Sequence, residues 1–269
     1  MKPPSTTSPA MEIPSPMLRL LARHPRAVML CCFFLSGATG LVYEVVWSRR
    51  LALTFGATVL AVSTVLAAFL GGLAVGSILL GRVADRSRQP LRLYGLLEGG
   101  VGLFCFATPW LFTVVEAAYV HLYPVMAEHV WLLRFVRFLL CAAVLFPPTV
   151  LMGGTLPAMS RALVQSRGQV GSRVALLYGI NTLGAVVGAT AAGFVLIPDI
   201  GIRATVYLAA VLNLAVCLIA LALAYLTPSE AVAEVKKERA APAVEFNRRG
   251  YRALLVAYAF SGAAALIYE

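Results

Sequence analysis

The sequence predicts an all-α membrane protein, a six-helix bundle followed by the start of a seventh helix. Three observations carry this. Hydrophobic residues fill 60% of the 269 positions and charged residues only 13%, whereas soluble domains hold about 45–50% apolar and about 25% charged residues. Six apolar runs reach the roughly 20 residues that a helix needs to cross a bilayer core. Lys and Arg are spread unevenly over the connections between those runs, as membrane orientation requires.

The chain opens with a tail, residues 1–26, rich in Pro and Ser and ending in a Leu/Arg mixture, Met17–Arg26, suited to a short interfacial helix. Small residues at Ser36–Gly40 resemble a leader-cleavage site, but the apolar pattern continues to Val46, long enough to span. The transmembrane domain covers residues 27–226. Its spans are Ala27–Trp47, Phe55–Leu80, Tyr94–Val120, Trp131–Met152, Val174–Pro198 and Ala204–Leu226. These runs are too long for strands and lack period-two alternation. Residues 227–250 change character, gaining Glu230, Glu234, Lys236, Lys237, Glu238 and Arg239, and read as a charged cytoplasmic linker. Residues 251–269 begin a seventh span that stops at Glu269.

With the N-terminus cytoplasmic, inside segments hold 17 Lys and Arg, and the outside connections hold three, Arg49, Arg50 and Arg203. This orientation obeys the positive-inside bias. The net charge of +10 therefore points to the lipid bilayer as partner. Nucleic acid is not expected, because the basic residues are dispersed between apolar runs.

The chain also repeats itself. Ser36-Gly37-Ala38-Thr39-Gly40-Leu41-Val42-Tyr43-Glu44 recurs as Ser261-Gly262-Ala263-Ala264-Ala265-Leu266-Ile267-Tyr268-Glu269, with six of nine positions identical. The copies fall on the first and seventh spans, which share an orientation, as in transporters built from parallel six-helix repeats. The expected partner of this half is the remainder of the same polypeptide or a second copy.

Ionisable and polar groups within spans are the candidates for a solute or ion pathway. Glu44, next to Tyr43, lies about 27 Å along the first span at 1.5 Å per residue. Arg134 and Arg137 lie at similar depth on the fourth span and share a face. Either Glu44 pairs with one of them, or the arginines extend to the headgroups. Glu98 and Asn181 lie near the cytoplasmic ends of the third and fifth spans, where a hydrogen bond between them is geometrically open. Glu98 is then either a cation site or part of an interhelical contact.

Gly72 and Gly76 on the second span, and Gly184 and Gly188 on the fifth, are spaced for close helix packing. Pro147-Pro148 and Gly153-Gly154 predict a kink or a broken inner end to the fourth span. Gly81, Arg82, Asp85 and Arg86 form a basic loop in which Asp85 is placed to accept hydrogen bonds from helix-start amides. No catalytic residue, metal or cofactor is expected: phosphate-binding and H-E-x-x-H motifs are missing, the three histidines are scattered, and none of the five cysteines has C-x-x-C spacing.

The stretch Gly81-Arg82-Val83-Ala84-Asp85-Arg86 resembles the first half of the loop motif between helices two and three of the major facilitator superfamily. It departs from that motif at Arg88, where Gly is usual, and at Gln89-Pro90. The chain more closely resembles the multi-pass part of the membrane spermidine synthase-like family, in which a facilitator-like region is fused to an aminopropyltransferase. The matching pieces are Leu35–Ala38 with Tyr43–Trp47, Leu66–Ser77, Leu151–Pro157 and Tyr178–Ala185.

The resemblance implies a major-facilitator-like half bundle in a bacterial inner (plasma) membrane. It implies spermidine synthase activity only in a longer protein, since no adenosine-binding Gly-rich loop occurs here. The expected function is handling or transport of a small solute such as a polyamine. The alternatives are a non-transporting anchor or regulator of an aminopropyltransferase domain, and a homodimeric six-helix transporter.

Overall fold

The computed structural model describes residues 23–55, 59–126, 128–163 and 170–226, together with 256, 257 and 260. The chain divides into two units, Met1–Val232 and Ala233–Glu269. Most of the N-terminal tail, the linker, the seventh span and the second repeat copy lie outside the described residues. In the second unit, Val256, Ala257 and Phe260 are helical and exposed.

Among the described residues every secondary-structure element of the first unit is a helix. Its elements are α1 (Pro25–Phe55), α2 (Val59–Arg86), α3 (Pro90–Met126), α4 (Val130–Gly153), α5 (Thr155–Leu163), α6 (Val170–Ala191), a π-helical turn (Ala192–Leu196) and α7 (Ile197–Leu226). In lipid the backbone must satisfy its own hydrogen bonds, which long helices accomplish. Among the described residues five stretches are long and apolar enough to cross a membrane, where the sequence predicts six spans before the linker. The difference lies in the last, Gly171–Leu226, which runs 56 residues. A straight helix of that length would reach about 84 Å, far beyond the roughly 30 Å hydrocarbon core. It is not straight: Gly201 interrupts α7 at φ 80° and ψ 167°, a backbone region essentially reserved for glycine.

The helices pack in pairs: α3 on α7, α1 on α6, α2 on α4, with α7 also against α1 and α4 against α3. Glycines decide how close two of these pairs come. A Cβ on Gly184 or Gly188 would stand 2.0 or 2.1 Å from the carbonyl oxygen of Phe34 or Ala38 on α1. On the α2–α4 seam, a Cβ on Gly72 would meet Thr149 at 1.9 Å, and one on Gly76 the Val150 carbonyl at 2.0 Å. Only a hydrogen at these positions permits the observed approach.

The predicted break in the fourth span falls at its glycines. α4 runs through Pro147 and Pro148, and Thr149 donates its hydroxyl to the Leu145 and Phe146 carbonyls. The helix then ends at Gly154, whose N–H bonds the Leu151 and Met152 carbonyls, before α5 restarts at Thr155.

The expected loop at Gly81–Arg86 is instead the last turn of α2. Only residues 87–89 link α2 to α3, and Pro90, preset for a first helical turn, opens α3. The Ser87 hydroxyl, not Asp85, accepts from an amide here, that of Gln89 at 3.2 Å. Arg82, Asp85 and Arg86 are exposed, and Gly81 lies in ordinary contact with Pro157.

Two apolar clusters fill the interior. One gathers Tyr43, Trp47, Leu51, Phe69, Phe112 and Leu145; the other gathers Phe33, Tyr94, Leu97, Met159, Leu177 and Leu223. Tyr43 stacks on Trp47 with ring centres 5.5 Å apart, and Phe69 meets Trp47 edge-on at 6.4 Å. Outward, large apolar side chains such as Leu103, Leu183 and Phe194 stay exposed, the arrangement lipid rather than water stabilises.

Candidate functional site

Two sets of polar side chains meet on α1, one turned inward and one outward. The inward set begins at Tyr43, fully buried, whose hydroxyl donates to Asn213 Oδ1 at 2.9 Å. Asn213 in turn donates through Nδ2 to Glu98 Oε2 at 2.5 Å. The chain of bonds ties α1, α7 and α3 together at one depth. Glu98 is 1% exposed, and the buried Tyr94 hydroxyl lies one turn earlier on α3.

The predicted Glu98–Asn181 contact is replaced by this one. Asn181 donates Nδ2 to the Phe33 carbonyl at 3.1 Å, and a Cβ on Gly37 would collide with Asn181. The physical reason is adjacency: α3 packs on α7, whereas α6 packs on α1. Sequence reasoning passed over Asn213. Its signal was a lone amide within the apolar run Ala204–Leu226, flanked by Leu212 and Leu214, where an unpartnered polar group would be costly.

The outward set starts one residue later. Glu44, Ser48 and Arg49 line an open cleft of about 780 Å³ with Leu41, Val45 and, across from them, Gly193, Ile197 and Pro198. The far wall is the π-helical turn, in which the Ile197 N–H reaches back to the Ala192 carbonyl. Such turns insert an extra residue per turn, widening the helix, and recur at functional sites. A carboxylate, a hydroxyl and a guanidinium thus face one cavity whose volume falls in the range of small-molecule sites, about 300–1,000 Å³.

The remaining candidates lie elsewhere. Arg134 is exposed and sits over the Trp131 ring at 5.0 Å, an interfacial cation–π pair, rather than against Glu44. Arg137 is half-buried one turn further along α4, whose packing partners are α2, α3 and α5. One ion pair was not suggested by the sequence: Arg50, near the end of α1, bonds Glu116 of α3 at 3.0 Å. The five cysteines are free thiols, and among the described residues no three His, Cys, Asp or Glu side chains group to hold a metal ion.

A paired-helix bundle with apolar exterior, a buried polar chain and an open charged cleft defines a multi-pass helical membrane protein. The Major Facilitator Superfamily model matches residues 28–268, nearly the whole chain. The protein belongs to that superfamily. No curated protein and no solved structure gives a significant match.

Proposed function

We propose that this chain is the first, six-crossing half of a transporter that carries a small cationic solute, with an amine such as a polyamine as the substrate class. The observation that carries this reading is the cleft beside Glu44. It places a carboxylate in an accessible cavity of substrate size. Membership of the superfamily supports the transport class. The corner at Gly201 supports six crossings, because it divides Gly171–Leu226 into two lengths that each suffice for a bilayer. The amine rests on the acidic group and on the resemblance to spermidine synthase-like proteins. Uptake of radiolabelled spermidine into vesicles containing the protein tests the proposal. Uptake that Glu44→Gln abolishes supports it, and uptake no faster than in empty vesicles refutes it.

A second reading draws on the interior. Glu98 is sealed and bonded to Asn213, as befits a rigid membrane anchor for an aminopropyltransferase domain outside this chain. In that case Glu44→Gln leaves every activity of the protein unchanged.

A further inference from the structure

We infer that the end of the bundle at Arg50 and Arg203 is a binding site for a phosphoryl group, and that the group belongs to the headgroup of a membrane phospholipid. A separate cavity of about 60 Å³ opens there between α1, α3 and α7, large enough to hold more than one water molecule, each taking about 30 Å³ in the liquid. Two guanidinium side chains from different helices, Arg50 and Arg203, line it, and its walls are otherwise largely apolar, including Phe112, Ile202 and Val206. Arg50 lies about 37 Å from the start of α1 at 1.5 Å per residue, beyond the roughly 30 Å of hydrocarbon and therefore at headgroup level.

The charge in this pocket is unbalanced. Arg50 is held by Glu116 at 3.0 Å, both side chains being partly exposed. Arg203 is exposed and has no hydrogen-bond or ion-pair partner among the described residues. Two like charges sharing a cavity repel, and Arg203 has no carboxylate among the described residues to offset its charge. An anion seated between them relieves that imbalance. Guanidinium forks match phosphate oxygens in a bidentate manner, and the apolar walls suit the glycerol and first acyl carbons that accompany a lipid phosphate. Gly201 positions the second cation: its positive-φ corner sends α7 off in a new direction two residues before Arg203. The site is separate from the Glu44 cleft and does not depend on transport.

Native mass spectrometry of the purified protein, released from detergent with added phosphatidylglycerol, phosphatidylcholine or inorganic phosphate, tests this. The expected result is retained phospholipid that falls at least fivefold in Arg203→Gln. The same loss is expected in Val206→Phe, which fills the cavity and leaves both charges. Glu116→Gln removes the negative charge beside Arg50 and is expected to raise retention two- to fivefold. Wild-type levels of bound lipid in both Arg203→Gln and Val206→Phe would overturn the site. Inorganic phosphate that binds and displaces lipid at equal concentration would overturn the lipid as occupant.

Discussion

Glu44 and Glu98 are both carboxylates in the membrane region of one bundle, and the structure treats them in opposite ways. Glu98 is sealed between α3 and α7, with one oxygen on Asn213. Glu44 lies one residue beyond the tyrosine at the far end of that hydrogen-bond chain, yet it faces an open cleft. Successive residues on a helix point about 100° apart, so neighbours in sequence serve different sides of α1. An acidic residue in a span is therefore no single signal. Its meaning depends on the helix face and on what packs there.

Exchanging each group should break this contrast in its own way. The largest effect is expected for Glu44→Gln, which should lower solute uptake more than tenfold while leaving the thermal midpoint in detergent unchanged. Asn213→Leu acts in reverse: it strands Tyr43 and Glu98 together. Interhelical hydrogen bonds in membranes average about 0.6 kcal/mol and reach about 1.7, so losing both should cost about 2 kcal/mol, read as a lowered midpoint. Gly188→Ala sharpens the comparison, because it strains the α1–α6 seam and leaves both carboxylates in place. Overpacking costs about 1–3 kcal/mol, and a Cβ 2.1 Å from a backbone oxygen puts this site at the upper end unless α6 shifts. Asn213→Leu and Gly188→Ala should thus both lower stability, but only the first should cost less in a Glu98→Leu background than in the wild type, since one of its two hydrogen bonds is already gone there. Arg134→Gln, out over Trp131, should change uptake and stability least, by under twofold and under about 0.5 kcal/mol.

Much of the helical layout was legible because hydropathy reports lipid exposure directly. The break at Gly154 and the corner at Gly201, between Pro198 and Ala204, both sit where Pro and Gly punctuate the apolar runs. Helix adjacency was not legible. Asn181 and Asn213 are equally conspicuous amides, and only the pairing of α3 with α7 selects the second as Glu98's partner. The Arg50–Glu116 pair escaped for the same reason, since nothing in sequence places the end of α1 beside α3. The Gly81–Arg86 segment was misassigned because its charges read as loop, while exposure at a helix end accommodates them equally well.

The contrast between the two carboxylates reduces to access by water. In a cysteine-free background, Glu44→Cys and Glu98→Cys can be challenged with a charged, membrane-impermeant thiol reagent and the labelling rates compared by mass spectrometry. The account predicts rapid labelling at position 44 and none at position 98 on the same timescale. Equal labelling of the two, or labelling at position 98 alone, would contradict it.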